Sequence, residues 1–546
     1  MKIVEAEAVP VAEGKMYSVA KRDGDAPPGS RATSRMKGQH RDPGDPVGTI
    51  GEVIDGGVSA RGNRSAAPSR DRKSDSLILP VKPPKETRRA EGRGGAEGDP
   101  RQHARDRTQS RRTLNAGLSR VAEAARKDKH LRFTALLHHI DEAALLRAFQ
   151  RLRRAAAPGV DGQTVASYES NLKERLSDLR SRVHKGTYRP QPVLRAYIPK
   201  EDGQSRPLGL PAIEDKIVQS AVAEVLSAIY EQDFLGLSYG FRPGRSPHDA
   251  LKALHTGLMT QYVNWVLDAD IRRFFDSVDH EWLLRMVAHR VADPRILGLI
   301  RGWLKAGVME GKQWTESEEG VPQGAGISPL LANIYLHYVL DLWVHKKRKQ
   351  MRGRVILVRF ADDFVMGFQT EQEAKEMLAE LVQRMAKFGL ELHSEKTRLI
   401  EFGKRSSEQR VRRGDGRPET FNFLGLTHYC GKSRDGRFVV KRRTERKRLT
   451  RKLNALRDEM RRRMHTRVEE QHRWLCSVLR GHYAYYGLPS NWHRLDSFRQ
   501  EVKRQWYRTL RRRNERELTW QKYQALLDRL PFPAPRLQKE RDARRD

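Results

Sequence analysis

Cysteine is nearly absent from this chain of 546 residues, which contains only Cys430 and Cys476 and no CxxC pair. That shortage excludes a disulfide framework and argues against a cysteine-ligated zinc site. No apolar run reaches the roughly 20 residues that a membrane-spanning helix requires, and the acidic residues of MKIVEAEAVPVAEGK are atypical of a secretory or transit peptide. We therefore expect a protein of the reducing cytoplasm, without a membrane partner.

Acidic residues are also in the minority, because 105 Lys and Arg stand against 69 Asp and Glu and give a formal net charge of +36. Such a charge predicts a polyanionic partner, but it does not choose between a chromatin binder, a ribosome-associated factor and a polymerase. Hydrophobic residues make up only 38% of the chain, which predicts that part of it is unfolded. Residues 1–110, rich in Gly, Pro and Arg, are the predicted disordered arm, and an arm that becomes ordered on RNA is compatible with this interpretation.

The chain is too long for one ordinary core, and the type of pattern changes along it. Apolar residues at helical spacing run through 118–140, and PGVDG at 158–162 then interrupts the helices as a loop. Short β-branched runs alternate with helices as far as Tyr429, and from about Lys441 the pattern is helical and dense in Arg and Lys. The predicted organisation is a disordered arm, an α+β region, a helical region and a charged tail, at 1–110, 111–430, 431–536 and 537–546.

The strongest local signal is RVILVRFADDFVMGF at 354–368, which predicts a strand, a tight turn and a second strand. Such a hairpin presents Asp362 and Asp363 together at one end of an apolar sheet. Adjacent carboxylates in apolar surroundings repel each other, and a divalent metal ion is the natural compensation. Polymerases use two Mg²⁺ ions about 3.5–4 Å apart, held through oxygen ligands. An isolated Asp-Asp pair is more often an ordinary turn, so a third carboxylate is required.

The segment WVLDADIRRFFDSVDHEWL at 265–283 offers that third carboxylate in four candidates: Asp268, Asp270, Asp276 and Asp279. Residues 265–271 predict a strand, on which Asp268 and Asp270 share a face. Asp276 is also explained as a turn residue, and Asp279 as the N-cap of the helix that follows. Spacing alone does not say which of the four binds metal.

The FADD sequence at 360–363 resembles the YxDD box of reverse transcriptases, and DIRRFF resembles the polymerase strand whose aspartate precedes an aromatic residue by five positions. From roughly Arg111 to Arg536 the chain resembles group II intron-encoded reverse transcriptases, also called maturases. The resemblance implies that Asp270, Asp362 and Asp363 are catalytic and bind two Mg²⁺ ions. It further implies that the backbone carbonyl of Ile271 is a metal ligand, and that Phe275 packs under the sugar and rejects ribonucleotides.

Further blocks follow the family's order: PGVDG (158–162), YIPKEDGQSRPLGLP (197–211), SYGFRPGRSPHDAL (238–251), GVPQGAGISPLLANIYL (320–336), LHSEKTRL (392–399) and FNFLGLTHY (421–429). In the fourth block, Ala325-Gly326 departs from the usual Gly-Gly-Val. The resemblance implies nucleotide binding by Lys200, Arg206, Gln323 and Lys396. It implies template, primer or RNA contacts for Arg242, Arg245, Gly324, Leu424 and Gly425. Spacing alone equally allows Lys200 and Arg206 to be solvated charges of a hairpin around Asp202-Gly203.

The helical region contains CSVLRGHYAYYGLPSNW at 476–492, which resembles the maturase domain and implies RNA contacts for Arg480, Tyr485 and Tyr486. Arginines interleaved with aromatic residues suit RNA, because cations bind phosphates and rings stack on unpaired bases. The alternative is that Tyr483, Tyr485 and Tyr486 pack a helix core, and we expect at least one to do so. No cysteine cluster follows, so we expect no zinc-supported endonuclease and dependence on a pre-existing primer.

The fold that the resemblance implies is α+β: polymerase fingers and a palm with an antiparallel sheet, followed by an all-helical thumb/maturase domain. The implied function is that of an RNA-directed DNA polymerase, a nucleotidyltransferase of a mobile intron. It would use dNTPs, an RNA template with a DNA primer or target DNA, and intron RNA for splicing and retrohoming. It would act in a bacterial cytoplasm, at the nucleoid during DNA synthesis. Two alternatives stay open: a splicing-only maturase, or a retron, diversity-generating or defence reverse transcriptase, which generally lacks LRGHYAYYG and the PGVDG extension.

Overall fold

The computed structural model describes residues 116–199, 205–513 and 517–537. The arm predicted at 1–110 and the tail from residue 538 lie outside these ranges. None of the described helices combines the length and apolar character that crossing a bilayer requires.

The described helices are α1 Ala116–Lys127, α2 Glu142–Gln150, α3 Val165–Glu169, α4 Leu172–Lys185, α5 Ile213–Tyr230, α6 Pro247–Thr260, α7 His280–Ala288, α8 Pro294–Lys305, α9 Ser328–Leu336, α10 Leu342–Lys347, α11 Glu371–Lys387, α12 Lys404–Arg413, α13 Arg446–Arg462, α14 Val468–Tyr486, α15 Trp492–Arg513 and α16 Trp520–Arg529. The strands are β1 Val193–Pro199, β2 Ser205–Leu210, β3 Trp265–Ala269, β4 Val308–Glu310, β5 Gln313–Thr315, β6 Ile356–Phe360, β7 Asp363–Phe368, β8 Arg398–Glu401, β9 Phe421–Phe423, β10 Leu426–Lys432 and β11 Phe438–Thr444. Short 3₁₀ helices lie at Leu137–His139 and Phe274–Asp276, and a π-helical turn lies at His337–Asp341.

The helical pattern over 118–140 is only partly realised, because α1 ends at Lys127 and the chain runs without α-helix to Ile140. Long-range bonds hold this stretch in place. The Phe133 N–H donates to the Arg290 carbonyl at 2.8 Å, and the buried Asp293 carboxylate accepts from the N–H groups of Leu136 and Leu137. Tertiary contacts therefore override the local periodicity, while PGVDG forms a loop as predicted.

The central sheet has the order β6-β7-β3-β8 with every pair antiparallel, which confirms the predicted antiparallel sheet. Side chains alternate between its two faces. Leu267 and Met366 enter a large core shared with the helices of the first half of the chain. Val266 and Val365 enter a second core on the opposite face. Both faces of this sheet are therefore covered by apolar cores.

Two further sheets have four and three strands. In the order β2-β1-β4-β5, β1 and β2 form an antiparallel hairpin while β1 and β4 are parallel. The other sheet has the order β11-β10-β9 and contributes to the second core. The prediction that helix begins near Lys441 is wrong, because residues up to Thr444 pair with β10. Val440, Arg442 and Thr444 alternate inward along β11, and this sheet burial outweighs the helix-favouring composition.

Helices α13 to α16 form a unit with its own core, centred on the fully buried Trp506. The Trp506 indole donates to the Gln471 side chain at 3.0 Å, so its polar atom is satisfied. Phe532, in the proline-containing segment after α16, packs against the same core. The described part of the chain thus confirms an α+β region followed by a helical region.

Candidate functional site

A two-residue turn, Ala361 and Asp362, joins the paired residues Phe360 and Asp363, so Asp362 lies in the turn and Asp363 begins β7. Ala361, the first turn residue, has a φ of +59°, a conformation in which a residue with a side chain is strained. The predicted strand–turn–strand is therefore confirmed. The turn directs Asp362 and Asp363 to one end of the central sheet, as the sequence predicted.

The backbone of another segment lies directly against this turn. An ideal Cβ atom at Gly240 would be 2.3 Å from the Ala361 nitrogen, so only glycine fits there. The Tyr239 N–H donates to the Arg359 carbonyl at 2.9 Å, next to the turn. The SYGFRPG block thus packs directly against the acidic turn and holds its backbone in place.

A buried arginine, which the sequence reasoning missed, holds the turn from beneath. The Arg359 guanidinium donates to both carboxylate oxygens of Asp341, at 2.8 and 2.5 Å. Its Nη1 also donates to the Asn333 side chain and to the Ala361 carbonyl, at 2.9 and 2.8 Å. Asn333 in turn donates to the Gly240 carbonyl at 2.8 Å. An arginine inside an otherwise apolar strand, VRF, was the sequence signal for this network.

Asp270 follows directly after β3, the neighbour of β7 in the sheet. The β3–β7 register pairs Asp268 with Val365 and Ala269 with Phe364, and one step further it places Asp270 opposite Asp363. Asp268 is distinguished from Asp270 by its partner, because the Arg398 guanidinium donates to it at 3.2 Å. The structure therefore brings the three predicted acids to one end of the sheet, with Asp268 on the same face.

The carboxylates at this end repel each other. Burial, together with the charges of Asp362, Asp268 and Asp270, raises the pKa of Asp363 to about 8 against the opposing effect of Arg448. Burial also raises the pKa of Asp268, although the bond from Arg398 opposes this shift. A cation among these groups would favour their ionised forms.

The donor set suits magnesium, which prefers oxygen ligands and retains water. Next to Ile271, the Asp270 carbonyl accepts from the His393 N–H and the Arg272 N–H donates to the Glu391 carbonyl, at 2.8 Å each. Neither of these two bonds uses the Ile271 carbonyl. Within the described ranges, however, no three His, Cys, Asp or Glu side chains are gathered as a metal cluster. The Lys396 ammonium instead lies 3.0 Å from the Asp270 carboxylate. The acids fit a metal ion by their chemistry, and in this structure Lys396 is the counter-charge of Asp270.

Phe275 and the PQG block are hydrogen-bonded to each other through their backbones. The Val321 N–H donates to the Phe275 carbonyl at 2.6 Å, and Gly320 donates to Val278 at 2.8 Å. Gly324 has a φ of +108°, and an added Cβ would lie 2.8 Å from the Gly209 carbonyl. The loop is therefore fixed between β2 and the turn that contains Phe275. Gln323 lies in the same loop and accepts from the Gly209 N–H through its carbonyl, at 2.7 Å.

The other residues predicted to bind nucleotide or template differ in how exposed their side chains are. Arg242 is buried, and its guanidinium binds Glu231 at 2.9 Å and the carbonyls of Leu235 and Ser238 at 2.8 Å, so its contacts in this structure are internal. Arg245 is partly exposed and lies over the Tyr239 ring. Lys200 lies outside the described residues. Of Arg206 only the backbone, in β2, is described.

The predicted primer-grip residues Leu424 and Gly425 form the two-residue turn between β9 and β10, both with positive φ. The Tyr485 hydroxyl donates to the Leu424 carbonyl at 3.1 Å. An added Cβ at Gly425 would lie 3.0 Å from Arg448 Nη1 and 3.1 Å from the Tyr486 hydroxyl. In this structure, therefore, both tyrosines contact the palm sheets, and helix α14 is joined to the site.

Arg480 is exposed on α14, while Tyr483 is buried in the helical core, so the expectation that at least one tyrosine packs there is confirmed. The predicted N-cap is also confirmed, since Asp279 accepts from the Trp282 N–H at 2.7 Å. Arg448 was missed by sequence reasoning. Nothing distinguishes it among the many arginines of its helix except its position at the first turn, next to Gly425.

Known proteins similar to this chain are reverse transcriptases and intron-encoded proteins. Residues 198–428 match the family described as "Reverse transcriptase (RNA-dependent DNA polymerase)". Protein YkfC of Escherichia coli (strain K12) is 34% identical over 341 residues, which are 55% of this chain and 89% of that protein. Group II intron-encoded protein LtrA of Lactococcus lactis subsp. cremoris is 36% identical over 235 residues, 41% of this chain and 38% of LtrA. Nuclear intron maturase 1, mitochondrial, of Arabidopsis thaliana is 30% identical over 95 residues, 17% of this chain and 13% of the maturase.

An antiparallel sheet that presents an FADD turn, within a matched reverse transcriptase region, defines the fold class as that of reverse transcriptases. The match spans most of YkfC but less than half of LtrA. Taken with these similarities, the chain belongs to the reverse transcriptase/maturase family of group II introns.

Proposed function

We propose that this protein is an RNA-directed DNA polymerase of a mobile group II intron, and that it also binds the intron RNA to assist splicing and retrohoming. The observation that carries the polymerase proposal is the arrangement of Asp270, Asp362 and Asp363 at one end of the central sheet. Burial and the repulsion from the neighbouring carboxylates raise the pKa of Asp363. A structural role alone gives no reason to concentrate negative charge there.

In this proposal Asp270, Asp362 and Asp363 hold two Mg²⁺ ions, with the Ile271 carbonyl as a further ligand. The ions, when bound, promote attack of a primer 3′-hydroxyl on the α-phosphate of a dNTP and stabilise the leaving pyrophosphate. Lys396 lies within reach of the same centre and supplies a cation for the nucleotide phosphates once it leaves Asp270. Lys200 and Arg206 are proposed to hold the triphosphate from the β1–β2 hairpin.

Phe275 and Gln323 are the proposed selectors of the nucleotide. The loop that contains Gln323 is tied to the Phe275 turn through the bond from Val321, so the two side chains have a fixed relation. Phe275 rejects ribonucleotides in this proposal because its ring fills the space of a 2′-hydroxyl. Arg245, Gly324, Leu424 and Gly425 are assigned to template and primer, and Arg480 to RNA.

We also propose the domain division into fingers and palm (111–430) and thumb/maturase (431–536). Separate cores for the central sheet and for α13–α16 support it. The pairing of β11 with β10 favours a start of the helical part after Thr444. An RNA template with a DNA primer is the proposed substrate of the first part together with the second.

The experiment is primer extension on an RNA template with Mg²⁺ and dNTPs. It compares wild type with Asp362→Ala/Asp363→Ala and with Glu469→Ala/Glu470→Ala, a control that removes two adjacent, exposed carboxylates from α14. Extension by wild type and control, but not by the aspartate variant, is expected. All three should bind structured RNA with nearly equal affinity.

Two outcomes would overturn parts of this proposal. Substantial extension by the aspartate variant would remove the metal-site assignment. A wild type that binds structured RNA tightly but extends no primer would instead indicate a splicing-only maturase. The presence of all three aspartates is the observation that favours the polymerase over that alternative. A gene that is not embedded in a catalytic intron RNA would indicate another type of bacterial reverse transcriptase.

A further inference from the structure

Helices α13 and α15 pack together through buried residues such as Met460 and Thr509, and leave a groove on the outer side of their contact. The groove encloses a cavity of about 160 Å³. Its lining consists of Arg457 and Arg461 from α13, Met464 just after that helix, and Gln505, Arg508, Thr509 and Arg512 from α15. We call this surface the α13–α15 groove.

Four arginines surround the groove, and all four are exposed. Arg461 lies 3.8 Å from Asp458, in an exposed pair one helical turn apart. In the part of the chain that the structure describes, no hydrogen bond or ion pair involves the guanidinium of Arg457, Arg508 or Arg512. Side chains at i and i+4 lie above one another on a helix, so each helix presents two adjacent cations. Their repulsion is relieved by an anion that spans both helices.

The base of the groove contains a hydrogen-bond acceptor that lacks a donor. Gln505 is only 7% exposed, and its side-chain oxygen Oε1 is buried without a hydrogen-bond partner among the described residues. The neighbouring Thr509 hydroxyl does not satisfy it, since that group donates to the Gln505 backbone carbonyl at 2.9 Å. A buried acceptor without a donor has lost its hydrogen bonds to water without replacement, which is unfavourable. The groove therefore fits a ligand that has anionic groups at its edges and a hydroxyl donor between them.

We propose that the α13–α15 groove binds the sugar–phosphate backbone of RNA, with the arginines on phosphates and Gln505 accepting from a ribose 2′-hydroxyl. DNA supplies the phosphates but lacks that donor, so the groove distinguishes RNA from DNA. An acidic protein segment would match the arginines but leave Gln505 unpaired at this depth. This inference rests on the proposed function, since it names a surface by which an intron protein holds RNA, away from the carboxylates.

The test measures binding of a single-stranded RNA and of the 2′-deoxy strand of the same sequence over a range of salt concentrations. The groove variant is Arg461→Gln/Arg512→Gln. Its control, Arg462→Gln/Arg511→Gln, removes the same charge from the same helices one residue away, outside the groove lining. A third variant, Gln505→Leu, removes the acceptor while keeping the side chain of similar size.

The groove variant is expected to bind RNA about tenfold more weakly, with a salt slope reduced by roughly 0.7–0.9 per lost phosphate contact. The control should keep both the RNA affinity and the salt slope near those of wild type. Gln505→Leu is expected to reduce the preference for RNA over the deoxy strand by about three- to tenfold, the contribution of one hydrogen bond. Unchanged thermal unfolding of all variants establishes that a change in RNA binding does not come from a loss of the fold.

Failure of the groove and failure of the proposed function give different results. A wild type that does not bind RNA overturns the proposed function itself. A wild type that binds RNA, with groove and control variants weakened equally, overturns the groove alone. The groove variant could also lose equal affinity for RNA and for the deoxy strand, with no effect of Gln505→Leu on the preference between them. That result would overturn the assignment of RNA, because the groove would then bind phosphates in general.

Discussion

Arg359 and Asp341 form a doubly hydrogen-bonded ion pair in which both side chains are fully buried, with exposed fractions of 0%. Arg359 also donates to the carbonyl of Ala361, the strained residue of the FADD turn. The pair therefore connects the π-helical turn at 337–341 to the residues that orient Asp362. A buried network of this kind, once fully hydrogen-bonded, fixes one arrangement of the chain around it.

Arg359→Met is predicted to destabilise the protein by about 3–5 kcal/mol, because it leaves the Asp341 carboxylate buried without its partner. Chemical denaturation followed by circular dichroism measures the loss. The control is Arg272→Met, which removes an arginine from an exposed pair with Glu391, with exposed fractions of 53% and 65%. That change should cost less than about 1 kcal/mol. Equal losses for both variants would contradict the structural importance of the Arg359 network.

Stability should depend on pH through Asp363, whose pKa is raised from 3.8 to about 8 in the folded protein. Between these values the folded state binds a proton that the unfolded state has released. Without metal, the contribution of this group to stability is therefore largest at low pH and falls as pH rises from about 4 to about 8.

Asp363→Asn is predicted to remove this pH-dependent loss and to be more stable than wild type at pH 8 in the presence of a chelator. Thermal unfolding from pH 5 to pH 9 tests this. Mg²⁺ should stabilise wild type more than the variant, because a bound ion favours the folded state. Asp276→Asn, an exposed aspartate nearby, serves as the control and should follow the wild-type profile. A wild-type stability that rises over this pH range would contradict the prediction, provided the control rises with it.

Lys396→Ala is predicted to raise the KM for dNTPs about tenfold, the effect of losing one charge-assisted contact with a phosphate. Lys375→Ala is a matched control, because Lys375 pairs with Glu371 at exposed fractions of 62% and 47%, against 60% and 42% for Lys396 and Asp270. Both changes should alter stability by less than about 1 kcal/mol. Steady-state primer extension measures the KM for dNTPs of both variants. An unchanged KM for Lys396→Ala would mean that Lys396 pairs with Asp270 but does not bind the nucleotide.

Gly425→Ala is predicted to slow primer extension by loosening the contact between the β9–β10 turn and the helical region. Any side chain at φ +76° is strained by about 1–2 kcal/mol, and here the added methyl group also displaces Arg448 and the Tyr486 hydroxyl. Gly436→Ala has nearly the same φ, +74°, with open space around the added atom. Gly436→Ala should therefore show the effect of backbone strain alone. Equal extension rates for the two variants would argue against a role of the contact between Gly425 and the helical region.

The sequence was most informative where a short local pattern sufficed. The FADD turn, the strand before Asp270, the Asp279 cap and the PGVDG loop are all formed as predicted, because each depends on neighbouring residues. Predictions failed where distant partners decide the conformation. Residues 128–140 are held by Asp293 and Arg290, and Lys441–Thr444 are held as a strand by β10.

By itself the sequence determined the family and the order of its blocks, because these are matters of residue type and spacing, and its resemblance to that family selected Asp270, Asp362 and Asp363 as the proposed catalytic acids. Only the tertiary structure gave Asp268 and Asp270 their different partners, since Arg398 and Lys396 come from a distant strand and loop. It also placed Arg242 inside the protein and Tyr485 against the β9–β10 turn. The physical reason is that burial and pairing are properties of the folded neighbourhood, which one-dimensional spacing does not contain.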